Sequence, residues 1–226
     1  MLPAFADLSV ARHGSLSEAA DYLAQLLSEA APGVEIVAIA RRPGVLSKVA
    51  VIGELGGDAV ATVREQLDGE RIDVVPWSAE PRRYITDALG MSEMPPIVLK
   101  PLISHAQVLV GEIDLRGMNG WRGLNRLLAS SLTGWRIHLE TVASSSAWAL
   151  LSAARADQRS VLATIVELTP RRARVEVHGL YAWLPQPGQL AVGQELQVRI
   201  TRLDPDEGRI SASRRLTPTG QLSLPG

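Results

Sequence analysis

The sequence predicts an α+β protein in which two similar modules of helices and strands are followed by a small five-stranded β-barrel. Apolar residues recur at helical and then strand spacing, in the same order twice, over the first two thirds of the chain. After residue 159 this pattern gives way to short alternating stretches separated by turn residues. The 226 residues suit several compact modules, and 46% apolar with 21% charged residues is typical of folded soluble proteins.

The first module is expected to begin with a helix. Ser15 and Glu18 have the spacing of a capping box, and apolar residues at helical intervals continue to Ala30, before Pro32 and Gly33. The expected later elements are strands at 34–40 and 48–52, a helix at 59–67 and a strand at 71–75.

The same order recurs from Pro81, a residue that suits the first turn of a helix. The expected elements are a helix at 81–89, strands at 97–103 and 107–110, a glycine-rich stretch at 117–123, a helix at 124–132 and a strand at 135–140. A short helix at 147–155 is interpreted as part of a linker. Strands at 161–168, 172–178, 181–184, 195–203 and 209–213 then predict a closed barrel of the OB type.

These elements divide the chain into six segments. They are an N-terminal extension (1–15), a first module (16–78), a second module (79–140), a linker with a short helix (141–158), the barrel (159–216) and a C-terminal tail (217–226).

The segment Gly120-Trp121-Arg122-Gly123 stands directly before a predicted helix and has the chemistry to bind phosphate. Glycines let a phosphate approach the main chain, the helix N-terminus attracts anions, and Arg122 supplies a charged donor. Arg116, Arg126 and Arg136 make the surroundings basic, with no carboxylate between residues 115 and 139. A tight turn before a helix is the alternative interpretation of these four residues.

The order of these motifs resembles the NusA family of transcription elongation factors. The run from Gly120 to Leu132-Thr133-Gly134-Trp135 is similar to the end of the family's second KH domain, and 34–51 to the opening of the first. Residues 69–89 are similar to the junction between the two. Over about residues 16–140, the resemblance implies two tandem KH modules of type II, whose GxxG loops clamp single-stranded RNA.

The last segment resembles the S-one type of ribosomal-protein OB-fold, with Asp206-Glu207-Gly208-Arg209-Ile210-Ser211 as its clearest motif. NusA itself carries a polymerase-binding domain, then the barrel, then the KH domains. In this chain the barrel follows the KH-like modules, which is a non-standard order.

The first module departs from the family in its loop. Its second strand runs almost directly into the helix, and counting back from Gly69 places Gly57 at the closing glycine of a GxxG loop and Glu54 at the opening one. Residues 53–74 hold six carboxylates against two arginines. We therefore expect this loop to repel phosphate.

One face of the barrel is predicted to be polar. Arg172, Arg174, Glu176 and His178 alternate with apolar residues on one strand. Tyr181 and Trp183, two residues apart on the next strand, lie on one side of it. The two aromatic residues are candidates for base stacking, or alternatively for capping the core. The candidate RNA-contacting residues are therefore Arg116, Gly120, Trp121, Arg122, Gly123, Asn125 and Arg126 in the loop region and Arg174, His178, Tyr181, Trp183, Arg209 and Arg214 in the barrel.

Catalytic and membrane functions are not expected. The chain has no Cys, its four histidines lack metal-ligand spacing, and it has neither a phosphate-binding GxxxxGK[ST] motif nor a nucleophile elbow. No catalytic residue, cofactor or metal is therefore predicted. Because there is no long apolar run or signal peptide, a cytoplasmic location without membrane contact is expected.

The functional expectation is a non-enzymatic binder of single-stranded RNA in transcription elongation, termination or antitermination, or in the handling of nascent RNA. RNA polymerase and the ribosome are candidate partners. Since the net charge is −1, RNA binding must come from local basic patches. Two alternatives stay open: a ribosome-associated, translation-linked or RNA-degradation accessory factor, and a protein-interaction scaffold whose KH modules have degenerated.

Overall fold

The structure is a computed structural model that describes residues 9–12, 18–185 and 189–214. The described residues form two compact units. The first comprises the chain up to Val108 together with Leu115–Leu139, and the second comprises Leu109–Asp114 together with the chain from Glu140 onward.

The first module of the first unit is a four-stranded sheet with two helices. Its elements are β1 (Ser9–Arg12), α1 (Glu18–Ala30), β2 (Glu35–Arg42), β3 (Leu46–Ile52), α2 (Gly57–Gln66) and β4 (Arg71–Pro76). The strand order is β1-β2-β3-β4, with β3 and β4 parallel and the other neighbours antiparallel. The sequence did not predict β1, which lies in the expected N-terminal extension. Ser15 of the expected capping box lies outside the described residues.

Helix α1 closes the core of this module through one apolar face. Ala20, Leu23 and Leu27 are buried at helical spacing and pack in one cluster with Val49 of β3 and Ile72 of β4. Helix α2 adds Val63 to the same cluster.

The second module has one helix more than the first. Its elements are α3 (Pro81–Leu89), β5 (Ile97–Lys100), β6 (His105–Val110), α4 (Glu112–Asn119), α5 (Leu124–Thr133) and β7 (Arg136–Thr141), with strand order β5-β6-β7. Helix α4 has no counterpart in the first module, where four residues, 53–56, separate β3 from α2. The strand predicted at 97–103 ends at Lys100, because Pro101 has no N–H for a strand ladder and begins a 3-10 turn.

The second unit contains a closed barrel of five strands, which confirms the predicted barrel. The strands are β8 (Ser160–Leu168), β9 (Arg172–Val177), β10 (Leu180–Pro185), β11 (Glu195–Asp204) and β12 (Arg209–Arg214), in the order β10-β12-β11-β8-β9. Alternate residues such as Ala173, Val175 and Val177 fill its interior. The chain thus has the mixed α and β architecture that the sequence predicted.

Helix α6 (Ser146–Ala156), expected as part of a linker, packs on the barrel. Trp148 and Leu151 are buried in the same hydrophobic cluster as the barrel interior, and Ala154 of the same helix is also buried. The Ser145 hydroxyl caps the helix by accepting a hydrogen bond from the Trp148 N–H at 3.2 Å. This segment therefore belongs to the core of the second unit.

The segment Leu109–Asp114 is joined to the turn before β12. A Cβ atom on Gly111 would lie 2.6 Å from the carbonyl carbon of Glu207, so only glycine allows this close approach. The N–H of Ile113 donates to the Asp206 carbonyl at 3.0 Å. The Asp206-Glu207-Gly208 turn, read from the sequence as part of a barrel motif, thus has a packing role.

Candidate nucleic-acid interface

The loop between α4 and α5 has a backbone that requires glycine at both ends. Gly120 lies at φ 70° and ψ −178°, a region that is nearly exclusive to glycine, and Gly123 is left-handed at φ 77° as the N-cap of α5. Between them Arg122 is also left-handed, at φ 51° and ψ 28°. A left-handed conformation costs a non-glycine residue about 1–2 kcal/mol, so the fold holds Arg122 in a strained position.

This strained backbone displays the two central side chains of the loop. Trp121 is 63% exposed, and the Arg122 guanidinium lies over its ring at 4.7 Å from the ring centroid. Arg116, in the last turn of α4, is exposed as well, and its carbonyl accepts a hydrogen bond from Gly120 N–H. The loop thus offers an exposed aromatic surface and cationic donors at the N-terminus of a helix.

Two of the predicted contact residues instead make hydrogen bonds within the protein. The Asn125 Nδ2 donates to the Met118 carbonyl at 2.7 Å and to the Leu89 carbonyl at 3.3 Å. Its Cβ would lie only 2.8 Å from a Cβ added at Gly120. Asn125 therefore fastens α5 to the end of α4 and fixes the close approach of the loop.

Arg126 is engaged in a similar way. Its Nε donates to the Asn119 side-chain oxygen and its Nη1 to the Ile137 carbonyl, each at 3.2 Å. This guanidinium links the end of α4 to β7 and contributes positive charge from a half-buried position.

The corresponding segment of the first module is Gly53-Glu54-Leu55-Gly56, which joins β3 to α2. Helix α2 begins at Gly57 with Gly56 as its N-cap, as α5 begins at Leu124 after Gly123. The predicted closing glycine, Gly57, is therefore the first residue of α2, and Glu54, at the predicted opening position, lies in the segment before it.

The acidic charge of the first module is partly neutralised. Glu70 forms a buried bidentate ion pair with Arg41, with both N–O distances at 2.8 Å, and Asp73 pairs with Lys48 at 2.9 Å. Two of the six carboxylates counted in the sequence are therefore neutralised by ion pairs. Glu54 and Asp58 remain exposed beside the loop.

The Glu70 carboxylate is the centre of this buried network. Ser47 Oγ donates to Glu70 at 2.6 Å and Gly44 N–H at 2.7 Å, in addition to Arg41. Burial by itself would raise the pKa of Glu70, but these hydrogen bonds and the Arg41 charge outweigh it and hold the pKa below its usual value. Burial is the main cause that lowers the pKa of Lys48, against the opposing effect of Asp73.

On the barrel, arginine side chains cover the predicted aromatic pair. Tyr181 and Trp183 are half-buried on the outer side of β10, whereas the residues that alternate with them are buried in the interior. The Arg174 guanidinium lies 3.9 Å from the Tyr181 centroid, and that of Arg172 lies 3.6 Å from the Trp183 centroid. Arg174 also pairs with Glu167 at 3.7 Å.

Arg172 is absent from the candidate residues chosen from the sequence. The alternation along this strand nevertheless predicts that it shares the polar side with Arg174, and both arginines lie on one side of β9 beside β10. The result is a ladder of two arginines stacked on two aromatic rings.

The other predicted barrel residues are dispersed. His178 was expected on a strand, but it lies in the two-residue turn after β9, where both His178 and Gly179 have positive φ. Arg209 is exposed and pairs with Glu207 at 2.6 Å, and Arg214 is exposed at the end of β12. The structure thus brings Arg174, Tyr181 and Trp183 together.

Two negative findings apply to residues 9–12, 18–185 and 189–214. They contain no group of three or more His, Cys, Asp or Glu residues that could hold a metal ion. None of their helices has the length and apolar character needed to cross a membrane.

Comparison with known proteins supports the resemblance over about half of the chain. Residues 18–77 match the model of the NusA-like first KH domain. The transcription termination/antitermination protein NusA of Thermus thermophilus is 37% identical over 131 residues, which are 52% of this chain and 34% of that protein. The NusA proteins of Halalkalibacterium halodurans and Mycobacterium tuberculosis are 34% and 36% identical, covering 48% and 47% of this chain and 31% and 34% of theirs.

A solved structure was also found, the crystal structure of APE1850. It is 21% identical, with a TM-score of 0.41, and the match covers 53% of this chain and 96% of that one. This chain spans about a third of the length of the curated relatives it matches. Residues 18–77 are therefore similar to the NusA-like first KH domain, and the chain is similar to NusA over about half its length.

Proposed function

We propose that this chain binds single-stranded RNA without catalysing a reaction, and that it acts in transcription elongation, termination or antitermination, or in the handling of nascent RNA. In this proposal residues 16–78 and 79–140 are tandem KH modules of type II, residues 141–158 connect them to an S-one-type barrel at 159–216, and residues 1–15 and 217–226 flank them. The similarity to transcription termination/antitermination proteins supports the role in transcription.

The observation that carries the proposal is the strained loop at residues 120–123. Strain at a non-glycine residue persists only when the surrounding structure enforces it, and it concentrates at functional sites. Here the strain serves to expose Trp121 and Arg122 at the N-terminus of α5. A phosphate could approach the glycines, while Arg122 donates to it and the Trp121 ring stacks on a base.

The barrel supplies a second contact surface in this proposal. Because guanidinium groups already cover the rings of Tyr181 and Trp183, a base would stack on Arg172 and Arg174 or displace them. Planar guanidinium groups can stack on bases and donate to phosphates at the same time. His178, Arg209 and Arg214 are the outer residues of this proposed surface.

The test is the double variant Trp121→Asp/Arg122→Asp, assayed for affinity to single-stranded RNA at two salt concentrations. Affinity should fall strongly, and the salt dependence should flatten by about 0.7 for each lost phosphate contact. The matched control is Ala61→Asp/Arg64→Asp, which makes the same change in charge on the exposed side of α2. Equal losses in both variants would contradict a specific role for the loop.

A second candidate function is a protein-interaction scaffold. The first module favours it, because Glu54 and Asp58 are exposed at its loop and no helix precedes that loop. RNA crosslinking followed by sequencing separates the candidates. Nascent transcripts would support the proposal and association with RNA polymerase, ribosomal RNA would support a ribosome-associated or translation-linked role, and the absence of RNA would support the scaffold.

A further inference from the structure

The three-stranded sheet of the second module has two chemically different sides. Ile97, Ala106, Val108 and Ile137 are buried on one side. On the other side Lys100 stands opposite His105 in the antiparallel pairing of β5 and β6. Residues directly opposite in such a pair project to the same side of a sheet, so Lys100 and His105 are neighbours.

Strand β7 adds two more basic side chains beside this pair. The His138 ring stacks on the His105 ring with centroids 6.4 Å apart and planes inclined by 25°. Arg136 lies two residues before His138, so both side chains project to the same side of β7. The Arg136 backbone N–H donates to the Ser104 carbonyl at 2.7 Å. Lys100, Arg136 and His138 are exposed. We call Lys100, His105, Arg136 and His138 the basic sheet surface.

Positively charged groups act on His105 from both neighbouring strands. Burial lowers the pKa of His105, and the positive charges of Lys100, His138 and Arg136 lower it further. In the part of the chain that the structure describes, the buried Nδ1 of His105 has no hydrogen-bond partner. Like charges held together are unfavourable, and an anion placed among them would relieve the repulsion.

Exposed apolar side chains adjoin these cations. In the turn after β5, Leu102 is fully exposed and Ile103 is 58% exposed. A single strand of RNA presents both phosphates and unstacked bases, so a surface with cations beside apolar side chains fits both parts of this ligand.

We propose that the basic sheet surface binds the phosphodiester backbone of single-stranded RNA, as a contact separate from the loop at residues 120–123. This inference rests on the proposed function and extends it. Lys100 and Arg136 pair with phosphates, and His105 and His138 donate from between them. Leu102 and Ile103 contact the exposed faces of the bases.

The test uses the full chain with the double variant Lys100→Ala/Arg136→Ala and a long single-stranded oligonucleotide. Affinity should fall about tenfold, and the salt dependence should flatten by about 1.4, because two phosphate contacts are lost. Lys100→Arg/Arg136→Lys keeps both charges and should retain most of the affinity. Arg64→Ala/Arg83→Ala removes two exposed cations elsewhere in the same unit and should have less than a twofold effect.

The two proposals fail in different ways. If Lys100→Ala/Arg136→Ala binds RNA as the control does, while Trp121→Asp/Arg122→Asp loses binding, the basic sheet surface is overturned and the proposed function stands. If the unaltered chain binds no RNA even at low salt, both are overturned. Binding of an acidic peptide that the Lys100→Ala/Arg136→Ala variant loses would then identify the surface as a protein contact.

Discussion

The two modules of the first unit use their polar residues for opposite purposes. In the first, the charges of Arg41, Lys48 and Glu70 are buried and paired with one another or with Asp73. In the second, the strained backbone of residues 120–123 exposes a charged and an aromatic side chain. The first module therefore uses buried polar groups for stability, whereas the second exposes polar and aromatic side chains at its loop.

The loops themselves show how this difference arises. Both stand directly before a ten-residue helix and both have glycine at each end. Gly56 has an ordinary extended backbone at φ −63°, whereas Gly123 is left-handed. The preceding α4 accounts for this difference, since Met118 and Asn119 accept the hydrogen bonds that hold the second loop. In this chain, the loop with the strained backbone is the one that follows a helix.

The largest effect is expected from breaking the buried network of the first module. Glu70→Ala leaves Arg41 buried without its carboxylate, which should lower the free energy of unfolding by about 3–5 kcal/mol. Urea unfolding followed by circular dichroism measures this. Glu65→Ala, on the exposed side of α2, is the control and should change stability by less than about 0.5 kcal/mol.

The same network has a defined pH dependence. Since the pKa of Glu70 is lower in the folded state, its contribution to stability is complete above the unfolded pKa of about 4.3 and is lost as the pH falls through the folded value. The difference in stability between the parent chain and Glu70→Ala should therefore narrow in acid. A constant difference between pH 7 and pH 3 would show that the carboxylate charge does not contribute.

A smaller effect is expected from the glycines of the two loops. Gly120→Ala places a side chain at a glycine-only conformation and within 2.8 Å of the Asn125 Cβ, so it should cost about 1–3 kcal/mol and weaken RNA binding. Gly56→Ala meets no atom within 4 Å and has an ordinary φ. If both substitutions are tolerated equally, the loops do not differ in strain as the structure indicates.

The sequence predicted most elements of both modules and the barrel because apolar periodicity and turn residues are local signals. It also located the Gly120–Gly123 loop, whose pattern is contiguous. It missed β1, and it missed helix α4, whose end was predicted as a glycine-rich stretch because Gly117 is unfavourable in a helix. It also missed the roles of Asn125 and Glu70, because their partners, Leu89 and Arg41, are distant in the chain.

The smallest change in stability is expected from substituting Asn125. Comparing this change with the change in RNA affinity distinguishes two possible roles of the residue. If Asn125 positions the loop, Asn125→Ala loses two internal hydrogen bonds, so stability should fall by about 1–2 kcal/mol and RNA affinity should fall with it. If Asn125 instead contacts RNA directly, affinity should fall while stability stays unchanged. The equivalent second residue of α2 is Asp58, which is exposed, so Asp58→Ala should leave RNA affinity unchanged or slightly improved. Chemical unfolding and RNA titration of these two variants, measured side by side, therefore show whether the loop is held by α4 or merely adjoins it.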